Sequence, residues 1–147
     1  MISKLLGQEN IALNVEVRNW EEAVRIGGEL LVKTGKVKQE YVEAMINSAK
    51  EFGPYYVMVP KIAMPHARSE VGVLDNGLSL ITLKKPVDFL TSPNNPVSIV
   101  LCFSAADVQE HLEVIKRLAK FLDSPKDIER LENATTAKQA LEIMSKY

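Results

Sequence analysis

A chain of 147 residues, 46% hydrophobic and 25% charged, has the size and composition of one globular domain that can bury a core without staples. Its formal net charge of −1 excludes the broad cationic footprint that nucleic acid requires, and its single cysteine, Cys102, excludes an intramolecular disulfide or a zinc-finger ligand set. No apolar run approaches the roughly 20 residues of a membrane span and the first residues carry no signal-peptide pattern, so the expected location is cytoplasmic, without direct membrane insertion.

The first periodic segment is Ile11–Val17, where residues 11, 13, 15 and 17 alternate at strand spacing. Asn19 then stands as a helix cap with Glu22 three residues on, and Trp20, Ala23, Val24, Gly27, Leu30 and Leu31 mark one buried face that ends at Gly35. A second helix over about residues 38–52 is expected to bury Tyr41, Ala44, Met45, Ala49 and Phe52, stop at Gly53-Pro54, and pack antiparallel to the first. Beyond Pro54 the texture becomes β-rich and is punctuated by Pro60 and Pro65, with Tyr55–Val59 as one short strand. Residues 71–74 lead to Asp75-Asn76-Gly77, a hairpin signal, and Leu78–Leu83 reads as a buried strand. A loop from Pro86 to Pro96 precedes Val97–Phe103, the most apolar run and the expected central strand, with Cys102 as a small core hydrophobe. Asp107 with Glu110 opens the next helix, expected to bury Val108, Leu112, Ile115, Leu118, Ala119 and Leu122. Ser124-Pro125 starts a short helix, and Thr135 or Thr136 caps the last, with Ala137, Ala140, Leu141 and Met144 inward. Interleaved strands and helices without repeat or linker predict a single α/β domain over residues 1–147, with a mixed central β-sheet flanked by helices.

Candidate chemistry centres on Met64-Pro65-His66-Ala67-Arg68. Pro65 fixes its own φ and disfavours helix at Met64, so the backbone reaches His66 extended and stiffened. A neutral imidazole there could act as nucleophile or base. With Asp107 as the cap, the only other histidine, His111, falls at the fourth helical position, where helix N–H groups and dipole favour anions. Arg68 could fork onto phosphate oxygens, and the two histidines could share an anion site. Hydrogen-bonded structural histidines and a solvated arginine are the plain alternatives. Two histidines without a third ligand make a poor metal centre, the serines lack a nucleophile-elbow pattern, and no glycine-rich nucleotide loop is present.

The string Ile62-Ala63-Met64-Pro65-His66-Ala67-Arg68, followed by Gly72 and Gly77-Leu78, resembles the active-site signature of enzyme IIA domains of the bacterial sugar phosphotransferase system. The resemblance is to the mannitol–fructose superfamily and, within it, to the ascorbate-specific branch most of all. Ala106-Asp107 through His111-Leu112 to Ile115 resembles that family's second signature. The resemblance implies a mannitol-type fold and a phosphocarrier that needs no cofactor and no metal. It implies that His66 accepts a phosphoryl group from the carrier protein HPr and passes it to a cysteine of an enzyme IIB, which serves a membrane enzyme IIC, with His111 supporting. Mannitol-type relatives contact the phosphoryl group with an arginine on the second helix. This chain has Asn47-Ser48-Ala49-Lys50 there, which leaves Arg68, Lys50 or backbone N–H groups to supply the charge. Met64, Val71, Val73 and Leu74 are candidates for the partner-facing surface. Ascorbate, a related sugar acid or a pentitol as the transported substrate is an implication of the resemblance alone. A regulatory relative that senses phosphorylation state and binds a target protein is the alternative.

Overall fold

The computed structural model describes residues 2–147. Its centre is a four-stranded mixed sheet of β1 (Ile11–Val15), β2 (Ile62–Ala63), β3 (Gly77–Val87) and β4 (Val97–Ser104) in the order β1-β3-β4-β2. β3 and β4 are antiparallel, with Leu80 opposite Leu101, whereas β1 on β3 and β2 on β4 are parallel pairs. Every residue of β4 is buried. That explains its unbroken apolar run: helices cover both faces, so neither face needs polar side chains.

One face carries the antiparallel pair α1 (Trp20–Lys33) and α2 (Gln39–Phe52); the other carries α3 (Val108–Leu122), α4 (Pro125–Glu132) and α5 (Ala137–Met144). Side chains alternate accordingly. Val100 and Cys102 join Val24, Val42 and Met45 under the helix pair, while Ile99, Leu101 and Phe103 join Val114, Leu118 and Met144 on the far side. Helix α1 begins where Asn19 accepts the Glu22 N–H at 2.9 Å. It ends at Gly35, whose φ of 75° lets the Lys36 N–H reach the Leu31 carbonyl at 2.8 Å. Ion pairs of Lys50 with Glu21 and Arg25 with Glu43 run across α1 and α2 in opposite chain order, as antiparallel packing requires. Near the C-terminus, the buried Asp127 carboxylate accepts from Lys146 at 2.9 Å and from the Tyr147 hydroxyl. The Ile2 N–H donates to the Tyr147 carbonyl, which ties the two ends together. No helix among the described residues is long and apolar enough to cross a membrane.

Several local expectations are corrected. Tyr55–Val59 is irregular, with a turn at Tyr55-Tyr56 and an isolated bridge from Val59 to Ile62, and the strand of that region is the two-residue β2. The hairpin expected at Asp75-Asn76-Gly77 does not form. Val73 bridges Val37, and the Leu74 and Asp75 N–H groups donate to Lys36, so this segment packs on the α1–α2 link instead of pairing with β3. The Asn76 side chain serves elsewhere, accepting the Ala106 N–H at 2.7 Å. β3 continues to Val87, past the expected end at Leu83 and through Pro86. Helix α3 buries Val114, Leu118 and Phe121; Val108 (74% exposed) and Leu112 (57%) face solvent because the first turn overhangs the sheet rim. Phe52 is likewise 70% exposed, and Val42 and Ile46 take the buried positions on α2.

Candidate functional site

β2 and β4 are parallel neighbours, so their carboxyl ends meet at the same rim, where sites of open α/β sheets gather. From β2 the chain passes through Met64 and Pro65 to His66; from β4 it passes through Ala105 and Ala106 to α3 and His111. The two imidazoles therefore arrive from separate strands and lie 5.0 Å apart, ring centre to ring centre, at an interplanar angle of 62°. The Asp107 side chain accepts the Glu110 N–H at 2.8 Å, which fixes the start of α3 and places His111 one turn into it.

His66 is half-buried and held on several sides. The ring of Phe103 stacks on it at 4.7 Å and 29°, and the exposed ring of Tyr55 meets it edge-on at 5.6 Å. Its Nδ1 lies 2.8 Å from the Met64 carbonyl oxygen. A carbonyl only accepts, so Nδ1 carries the proton, and in the neutral ring the lone pair sits on Nε2. Burial lowers the His66 pKa below the ordinary 6.5, against the Met64 hydrogen bond that raises it, and His111 lowers it further. Burial alone lowers that of His111. Both rings are accordingly biased toward the neutral form.

The imidazoles line a concavity of about 560 Å³ with Ser48, Phe52, Tyr55, Arg68, Asp107 and Val108 among its walls. The structure thus brings His66, His111 and Arg68 to one cavity. Among the described residues Arg68 has no salt-bridge partner, whereas Lys50 pairs with Glu21 and lies outside the cavity wall. Of the expected partner-facing residues, Leu74 is exposed, Val71 and Val73 are partly covered, and Met64 is buried beneath the loop. The apolar rim is made instead by Phe52, Tyr55 and Val108, beside Leu112 on the first turns of α3. Sequence reasoning assigned Phe52, Val108 and Leu112 to the core from helical spacing, which cannot tell a core stripe from a rim stripe.

The part that two tyrosines play at the site escaped the sequence reading. Tyr41 is fully buried on α2; its hydroxyl accepts the Ala67 N–H at 3.0 Å and donates to the Phe103 carbonyl at 2.8 Å. Tyr55 donates to the His66 carbonyl at 3.0 Å. The one available signal was that a buried tyrosine hydroxyl needs a partner.

Residues 4–147 match the model of the family described as "Phosphoenolpyruvate-dependent sugar phosphotransferase system, EIIA 2". Over 143 residues, 97% of this chain and 93% of the relative, the sequence is 38% identical to the ascorbate-specific PTS system EIIA component of Salmonella choleraesuis. The fold superposes on the solution structure of the mannitol-specific cryptic phosphotransferase enzyme IIA from Escherichia coli with a TM-score of 0.90, at 31% identity and covering 99% of each chain. It also superposes on a chain from the Escherichia coli complex of mannitol enzyme IIA with phosphorylated mannitol enzyme IIB, with a TM-score of 0.86, at 34% identity and covering 97% of this chain and 100% of that one.

Proposed function

The chain belongs to the EIIA 2 family of the phosphoenolpyruvate-dependent sugar phosphotransferase system, and from that premise we propose that it is a cytoplasmic phosphocarrier whose phosphoacceptor is Nε2 of His66. The observation that carries this reading is the pair of neutral-biased imidazoles 5.0 Å apart at one cavity, with Nδ1 of His66 already engaged by Met64. In the first step the Nε2 lone pair attacks the phosphorus of phospho-HPr. The new N–P bond forms as the N–P bond of HPr breaks, and the departing imidazole of HPr keeps the electron pair. In the second, a cysteine thiolate of an enzyme IIB attacks the same phosphorus; the P–S bond forms as the Nε2–P bond breaks, and the electron pair returns to Nε2, which leaves His66 neutral. The proton stays on Nδ1, donated to the Met64 carbonyl throughout, so neither step requires a proton to cross the ring.

Phosphoryl transfer of this kind asks the protein for in-line positioning and charge stabilisation. His111 is the supporting imidazole, near enough to donate to a phosphoryl oxygen on His66. Arg68 is the cationic contact, in preference to Lys50, because it lines the cavity and has no carboxylate partner among the described residues. The rim of Phe52, Tyr55, Val108 and Leu112 gives the partner proteins an apolar landing surface around the reacting atoms. The 38% identity to an ascorbate-specific component supports ascorbate or a related sugar acid as the transported substrate, which enzyme IIC, not this chain, would bind.

The test is labelling with phosphoenolpyruvate, enzyme I and HPr, followed by addition of an enzyme IIB. Wild type takes up acid-labile, base-stable label and passes it on; His66→Ala takes up none; His111→Ala folds and labels slowly. Label persisting on His66→Ala would overturn the assignment. Uptake without transfer to any cognate enzyme IIB would support the regulatory alternative.

A further inference from the structure

We propose that Tyr41 is a positioning residue for phosphoryl transfer, setting the orientation of His66 through the amide of Ala67; the role rests on the reading of His66 as the phosphoacceptor. A single strand residue, Phe103, grips the histidine from three directions. Its N–H donates to the Pro65 carbonyl on one flank at 3.1 Å, and its ring stacks on the imidazole. Its carbonyl accepts the Tyr41 hydroxyl, which in turn accepts the Ala67 N–H on the other flank. The result is a closed circuit from residue 65 through Phe103 and Tyr41 to residue 67, with His66 inside it. Tyr41 supplies its one side-chain link.

The hydroxyl has a single proton and two carbonyls within reach, Phe103 at 2.8 Å and Ala67 at 3.3 Å. The shorter contact takes the proton, which leaves an oxygen lone pair for the Ala67 N–H. Burial of the ring pushes the phenol far above its usual range, so this arrangement of donor and acceptor is constant across working pH. Removing the hydroxyl frees the N–H of Ala67 and the carbonyl of Phe103 together, and the second is buried in the central strand. The segment beyond then has the Val71 N–H on the Arg68 carbonyl as its next backbone tie. With one flank loose, the ring can swing away from the Met64 carbonyl that selects its tautomer, and Nε2 loses its fixed aim.

Tyr41→Phe keeps the ring and deletes the oxygen. We expect kcat for labelling by phospho-HPr to fall about tenfold while KM for HPr changes less than about twofold, because the docking rim is untouched. The ring-nitrogen chemical shifts of His66 should move from the Nδ1–H form in wild type toward a mixture of tautomers in the variant. A purely architectural tyrosine would lower the melting temperature and leave both readouts alone. A folded Tyr41→Phe with wild-type kcat and an unchanged His66 tautomer overturns the proposal. If the variant does not fold, hydrogen exchange of wild type decides: an Ala67 amide protected like those of β4 supports the clamp, and one that exchanges like an open loop overturns it. His66→Ala separates the two levels. Label on that variant removes the underlying assignment, whereas an unlabelled His66→Ala beside an unimpaired Tyr41→Phe removes the role of Tyr41 alone.

Discussion

Gly27 lies in the middle of α1, against Ser79 of β3 and Cys102 of β4, and Gly27→Ala tests how tight that packing is. A Cβ built there would sit 2.6 Å from Cys102 Sγ and 3.5 Å from Ser79 Oγ. The first distance is well inside contact, and neither partner can yield easily: Ser79 already donates to the Gly27 carbonyl at 2.8 Å, and Cys102 is fully buried in the central strand. Alanine is better than glycine in a helix interior by about 1 kcal/mol, while overpacking a rigid core costs about 1–3 kcal/mol. With a contact this short the upper end applies, giving a net loss of about 2 kcal/mol, or about 6 °C in melting temperature for a domain of this size. Cys102→Ala alone deletes one buried heavy atom and should cost about 1 kcal/mol, as comparable single-atom deletions do. The double variant has room for the new methyl, so it should be more stable than the sum of the singles by about 1.5 kcal/mol or more. Thermal and urea unfolding of all four proteins complete the cycle. Labelling of His66 should remain at the wild-type rate throughout, because Cys102 faces α1 and α2 whereas Phe103 presents its ring to the histidines from the opposite face. Additive losses in the double variant would refute the clash as the reason for glycine.

Two further predictions concern pH. His66 is neutral to a lower pH than a free imidazole, so the labelling rate should be flat from about pH 8 down and fall only below the ordinary 6.5; a midpoint above 6.5 would contradict the burial that lowers it. For stability the same direction means that the unfolded chain takes up protons first. The contribution of the two half-buried imidazoles is complete above 6.5 and is lost as pH falls through their lower folded values, a limb that His66→Ala and His111→Ala should each reduce in urea titrations. Asp127 acts in a more acidic window. The Tyr147 hydroxyl first, and then Lys146, hold its carboxyl below the ordinary 3.8, so its contribution is complete above 3.8 and disappears as pH falls through the folded value; Asp127→Asn should flatten that part of the profile, and an unchanged acid limb would count against the clamp.

Local chemistry carried the sequence reading a long way. The side chains of Asn19, Asp107 and Thr136 each cap a helix as expected, and Gly35 adopts the positive φ that its place after α1 demanded. Proline stiffening at His66, and a capped helix after an apolar run at His111, are each written within a few residues, but the meeting of the two rings depends on the parallel pairing of β2 with β4, which no local signal carries. What failed depended on distant partners. Asp75-Asn76-Gly77 has the composition of a hairpin turn, but the chain arrives there held to Lys36, and a turn motif carries no information about which strand lies alongside. The helical spacing of Val108, Leu112 and Phe52 was right as periodicity and wrong as burial, since α3 and α2 both extend past the sheet rim. Tyr41 was assigned to the core correctly, yet the value of its hydroxyl lies in Ala67 and Phe103, 26 and 62 positions away along the chain.

β2 is only two residues long, with Ile62 opposite Ile99 and Ala63 opposite Val100, and it leads within three residues to His66. So short a ladder would be free to slide if hydrogen bonds alone fixed it. The two side chains differ in bulk, however: Ile62 enters the layer of α3–α5, and Ala63 meets the layer of α1 and α2. A slip of one position would drive the larger side chain into the space shaped for a methyl group and carry the imidazole about 3.3 Å along the strand. Mismatched volume thus works as a key cut for one setting, and it indexes the His66 imidazole to the sheet with less backbone pairing than any other strand among the described residues.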